Sequence, residues 1–103
     1  MKLLIILSIA EFADEVRQLM ARNKVPVYSE TEMHGFRTER YQPDVRSWFS
    51  QSDYGVYSTL FFSFQEEATV ARILEEVREY NRKWEKTRDN PLHAFQVPVE
   101  AYA

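Results

Sequence analysis

At 103 residues, with 45% hydrophobic, 15% aromatic and 28% charged residues, the chain has apolar material for one globular core and too little length for two. Sixteen acidic against 13 basic residues leave a net charge of −3, which argues against a duplex nucleic-acid binder. The absence of cysteine excludes disulfides, a thiolate nucleophile and Cys-ligated zinc, and fits a reducing compartment.

Residues 2–9 are a nearly continuous Leu and Ile run that ends in Ser8 and Ile9. With Ala10 the run imitates a secretory signal, but it is short for one and Lys2 is its only basic residue. A central strand buried on both faces is expected instead. No run reaches the roughly 20 apolar residues of a membrane span, so a cytoplasmic protein without membrane insertion is expected.

From Glu11 the pattern changes to Phe12, Val16, Leu19, Met20 and Asn23, a helical stripe with Glu11, Asp14 and Glu15 near its positive end. Ser8 and Glu11 have capping-box spacing, and Val25-Pro26 predicts the stop. Residues 27–35 then alternate, with Val27, Ser29, Thr31 and Met33 on one strand face and Tyr28, Glu30, Glu32 and His34 on the other.

A third strand is predicted over 54–64, with Leu60, Phe62 and Phe64 opposed to Tyr57, Thr59 and Phe61. Residues 66–85 carry Val70, Ile73, Leu74, Val77 and Trp84 at helical spacing, with Glu79 and Lys83 as an i, i+4 pair outside. A last strand is predicted over 93–101, with Pro98 favouring an edge.

The order β-α-β-β-α-β is the ferredoxin-like signature of an α+β domain spanning residues 1–103, with a four-stranded antiparallel sheet and both helices on one face. The first and third strands are apolar on both sides, yet two helices cover only one. An oligomer that buries the other face is therefore expected.

The connection over about 36–53 is too long for a simple turn between strands. Arg40, Tyr41, Arg46, Trp48 and Phe49 are residue types enriched at protein interfaces, so this loop is the predicted partner-binding part. A hairpin that merely folds its aromatics onto its own sheet is the plainer alternative.

Three stretches resemble the PII signalling proteins. Asp14-Glu15-Val16-Arg17 is similar to their first-helix D-E-V-R, and Thr31-Glu32-Met33-His34-Gly35-Phe36 to the T-E-V-K-G-F at their loop base. Val97-Pro98-Val99-Glu100 resembles the P-V-E of their last strand. The resemblance implies a cytoplasmic, non-catalytic homotrimer whose long loop docks on a partner protein such as a transporter or an enzyme.

It also implies an adenine nucleotide or another small anion in the cleft between subunits, on Ser29, Thr31, Gly35, Phe36, Arg37, Glu39, Arg88 and His93. The family's usual ATP grip is altered. Glu39 stands where the family has a Mg²⁺-binding glutamine, Phe62 where it has a glutamate against adenine, and residues 86–93 contain no glycine to admit phosphates closely. Arg37, Arg88 and His93 remain as anion-binding groups. Thr38-Glu39-Arg40-Tyr41 resembles the family's modified T-E-L-Y, but out of register, so modification is not expected.

Two other readings stay open. Glu32, His34 and His93 are metal-ligand types, and CutA, a PII-like relative, has been linked to metals. Small αβ-barrel monooxygenases share the element order, although this sequence has no Ser-His-Asp pattern and no phosphate-cradling glycine loop.

Overall fold

The computed structural model describes residues 1–36, 56–84 and 90–103. In chain order they form β1 (Lys2–Ile9), a 3-10 turn (Ala10–Phe12), α1 (Ala13–Arg22), β2 (Ser29–Gly35), β3 (Val56–Gln65), α2 (Glu67–Arg82) and β4 (Leu92–Pro98). The strands make one antiparallel sheet ordered β2-β3-β1-β4, the ferredoxin-like arrangement expected from the sequence.

Alternation decides which residues enter the core. On β1, Leu4 and Ile6 are wholly buried, opposite Ser63 and Phe61 of β3 and Gln96 and Ala94 of β4. Against this face α1 lays Ala13, Val16, Leu19 and Met20, and α2 lays Val70, Ile73 and Val77. Phe61 is the largest fully buried side chain, with the ring of Tyr28 6.0 Å away. Phe12 closes one end of the layer, edge-on to Tyr80 at 6.2 Å and to Trp84 at 5.3 Å.

The exit from α1 is a Schellman turn. Lys24 takes a positive φ of 57°, its N–H donates to the Ala21 carbonyl at 3.0 Å, and the Val25 N–H donates to Met20 at 3.0 Å. The Asn23 amide adds a bond to the Leu19 carbonyl at 2.9 Å and another to Glu76 on α2. Arg22 also reaches Glu76, while Arg17 holds Glu30 with two nitrogens at 3.0 Å, tying α1 to the edge strand.

Local expectations needed several corrections. The Ser8 and Glu11 capping box does not form: Ser8 Oγ donates to the Ile9 carbonyl at 2.8 Å, and a 3-10 turn precedes α1 with no side-chain cap. Glu79 pairs with Arg82 rather than Lys83, whose ammonium instead lies 5.2 Å from the Tyr80 ring centroid. Both three- and four-residue spacings bring side chains together on a helix, and arginine offers the longer fork.

Strand ends follow their partners. The last strand runs Leu92–Pro98 rather than 93–101, because its ladder stops where Pro98 meets Lys2, the first residue of β1. The third strand extends to Gln65 for the same reason. The second begins at Ser29 rather than Val27, whose carbonyl accepts a 2.7 Å bond from the Ser63 hydroxyl. The second helix ends at Arg82, three residues earlier than its apolar pattern suggested.

Candidate functional site

The sheet face away from the helices is apolar, and no other element among the described residues covers it. It carries Leu3, Ile5 and Leu7 of β1, paired with Phe64, Phe62 and Leu60 of β3 and with Val97, Phe95 and His93 of β4. Phe64 is 52% exposed, Phe95 48%, and Phe62 and Val97 37%, so β3 and β4 place aromatic rings in contact with water. The Phe62 and Phe64 rings meet edge-on at 6.5 Å. Such a face exceeds the scattered exposure normal for a single soluble chain.

Members of the expected ligand cleft lie at both edges of this face. Ser29 and Thr31 belong to edge strand β2, opposite Phe62 and Leu60, whereas His93 belongs to edge strand β4, opposite Leu7. Three strand spacings, about 14 Å, separate the two edges. A single copy therefore does not bring Ser29 or Thr31 together with His93.

Gly35 is buried at the end of β2, registered with Val56, and Phe36 beyond it is exposed. The His34 ring lies 4.3 Å from Tyr57 and 6.1 Å from Phe36, forming an exposed aromatic group at the base of the connection between β2 and β3. Arg37, Glu39 and Arg88 of the expected cleft, and Arg40, Tyr41, Arg46, Trp48 and Phe49 of the expected partner loop, lie outside the described residues.

Glu32 and His34 share a face of β2, as their spacing predicted, but it is the helix-bearing face. His93 projects from the other face at the far edge, so one copy does not assemble the three. Among the described residues no group of three or more His, Asp or Glu side chains is placed to hold a metal. Burial lowers the affinity of the half-buried His93 imidazole for a proton, and a hydrogen bond with the Asn90 backbone opposes that shift.

A groove beside α2 was not foreseeable from the periodic patterns alone. A cleft of about 220 Å³ runs between α2 and the outer edge of β4, lined by Leu74, Val77, Arg78, Asn81, Leu92 and Ala94 among others. Asn81 falls four residues after Val77, on the apolar stripe of α2, and its amide bonds the backbone of Leu92. A polar residue interrupting an otherwise apolar stripe was the available signal.

No protein-family model and no curated protein matches the sequence. Among solved structures, CPII, a nitrogen regulatory PII-like protein from Thiomonas intermedia K12, aligns over 99% of this chain and 94% of its own with a TM-score of 0.58 at 14% identity. The fold is PII-like. A second structure of CPII gives a TM-score of 0.56 at 17% identity, over 94% of this chain and 93% of the other. A DUF3240 family protein from Shewanella baltica OS155 gives 0.60 at 14%, over 99% and 92%. Both CPII structures are of complexes with ADP, AMP and bicarbonate. At such identities the PII-like likeness is one of backbone architecture, matching the resemblance already present in the sequence. No helix among the described residues is long and apolar enough to cross a membrane.

Proposed function

We propose that this protein is a PII-like, non-catalytic regulator that works as a homotrimer, senses a small anion between its subunits and reports it to a partner protein. The observation that carries this reading is the split arrangement on the open sheet face. Ser29 and Thr31 stand at one edge and His93 at the other, with a partly exposed apolar surface between them. Burying that surface against further copies removes aromatic area from water and lets the β2 edge of one copy approach the β4 edge of the next.

In such an assembly the cleft would combine Ser29, Thr31, Gly35, Phe36, Arg37 and Glu39 of one subunit with Arg88 and His93 of its neighbour. Hydroxyl, guanidinium and imidazole donors suit a phosphate or bicarbonate, and an exposed Phe36 offers a surface for a base. The ligands held by CPII make an adenine nucleotide or bicarbonate the first compounds to test. Ligand would select one arrangement of the loop base and thereby alter presentation of Arg40, Tyr41, Arg46, Trp48 and Phe49 to a transporter or an enzyme.

Light scattering at micromolar concentration should return a trimer, and a monomeric mass would overturn the assembly. On the purified protein, a thermal-shift series with ATP, ADP, AMP, cyclic nucleotides and bicarbonate should raise the melting temperature for at least one. A ligand at one hundred times its Kd adds about 2.7 kcal/mol to stability, well within detection. No shift with any of them would remove the ligand-sensing part of the reading.

A further inference from the structure

We infer that residues 99–103, which run on beyond β4, form an arm that docks on a second copy of this chain, with Tyr102 filling a hollow beside the start of that copy's β2. The inference rests on the homotrimer proposed above and adds to it a contact at one end of the sheet.

The hollow opens because β2 joins the sheet late. Its ladder with β3 starts at the Ser29 and Phe62 pair, while β3 runs on to Gln65. Asn81 bonds both backbone groups of Leu92 from outside the sheet. Alternation therefore turns the backbone groups of His93 and Phe95 towards β1, those of Leu4 and Ile6 towards β3, and those of Phe62 and Phe64 towards β2. Phe62 meets Ser29 there, but Phe64 meets no strand, and Val27 gives its carbonyl to the Ser63 hydroxyl at 2.7 Å. The resulting hollow of about 380 Å³, walled by Pro26, Val27, Phe62 and Phe64 among others, has room for one aromatic side chain. It lies at the opposite end of β3 from Val56, where the long connection rejoins the sheet.

Residues 99–103 read Val-Glu-Ala-Tyr-Ala, and among the described residues no strand pairing or hydrogen bond engages them. Tyr102 is 80% exposed and Val27 73%, the highest values among the described large hydrophobic residues. Tyrosine is enriched where proteins meet, and one contact would take both side chains out of water. An arm lying in the hollow can also bond the free N–H and C=O of Phe64.

Symmetry brings the two parts together. Pro98 and Gln65 are both registered with Lys2, so arm and hollow lie at the same end of the sheet and at opposite edges. A threefold axis running along the strands leaves height along the axis unchanged, so setting β4 of one copy beside β2 of the next carries the arm to the hollow. At about 3.4 Å per residue the arm spans about 17 Å. To reach the hollow of its own copy it would have to turn back across β1 and β3. Lys24, exposed two residues before Pro26, offers a counter-charge to Glu100. Of the described members of the expected ligand cleft, only Ser29 lines the hollow.

The test uses the full-length protein, which has no cysteine of its own. Chains carrying Val27→Cys, co-expressed with chains carrying Tyr102→Cys and oxidised, should yield a disulfide between the two kinds of chain, a bond that forms only where Cα atoms come within about 7 Å. Tyr102→Ser, and separately Val27→Glu, should raise the dissociation constant of the trimer at least tenfold in sedimentation equilibrium. Circular dichroism should be preserved, because both side chains are exposed in one copy. The Phe64 amide should exchange slowly in the parent trimer and faster in Tyr102→Ser. A trimer that gives no mixed disulfide and dissociates as before in both variants would overturn the arm and leave the trimer standing. A dimer that gives the mixed disulfide would support the arm and overturn the trimer, and a monomeric parent would overturn both. A double variant that links within one chain at high dilution would overturn docking on a second copy in favour of an arm folded onto its own hollow.

Discussion

The Asn81 side chain pairs with the backbone of Leu92 as a neighbouring strand would, accepting from its N–H at 3.3 Å and donating to its C=O at 2.9 Å. One helix residue thereby caps the start of an edge strand and fixes α2 to β4. Because Leu92 is buried, losing Asn81 would leave two backbone groups without partners in a place water reaches poorly. Asn81→Ala should cost about 1–3 kcal/mol in urea denaturation and accelerate hydrogen exchange of the Leu92 amide.

Lys24 occupies a left-handed position that glycine holds without steric penalty. Its side chain is exposed, so Lys24→Gly should remove backbone strain and leave packing unchanged. An increase in stability of about 0.5–1 kcal/mol is expected, part of it offset by the greater freedom of glycine in the unfolded chain. Thermal denaturation of the variant beside the parent would measure it.

Phe62 and Phe95 stand on the open sheet face, both partly in water within one copy. Replacing both with serine should change the folding of that copy little, since neither belongs to the buried core. It should lower the mass in light scattering to the 12.3 kDa of a single chain, with circular dichroism preserved. An unchanged mass would show that assembly, if present, uses another surface.

His93 binds a proton less readily in the folded chain than in the unfolded one, chiefly because it is partly buried. Between its depressed folded value and the ordinary one of about 6.5, the unfolded state carries more protons. Stability should therefore be complete above about pH 6.5 and decline as pH falls through that window. His93→Gln should flatten this part of the profile in denaturation curves taken from pH 7.5 downward.

The basic element order was legible in the sequence because each pattern had one strong reading. The unbroken apolar run around Leu4 and Ile6 marks a central strand, and the Val70, Ile73, Val77 spacing marks a helix packed on one side. The two-faced apolarity of Leu60, Phe61, Phe62 and Phe64 also indicated a sheet whose helices cover only one face, as the structure shows. Side-chain choices among near-equal partners were less legible. Ser8 had the spacing for a capping box but bonds its neighbour's carbonyl, and Glu79 had two cations within reach.

The periods were therefore readable along the chain: which stretches are strands, which are helices, and which side of each is apolar. Those depend on local geometry, the two-residue repeat of a strand and the 3.6-residue repeat of a helix. That Ser29 and His93 stand at opposite edges of one sheet face, and that Asn81 meets Leu92 at the start of edge strand β4, emerged only from the folded chain. Such relationships come from strand order and register, which join residues far apart in the chain and have no local signature.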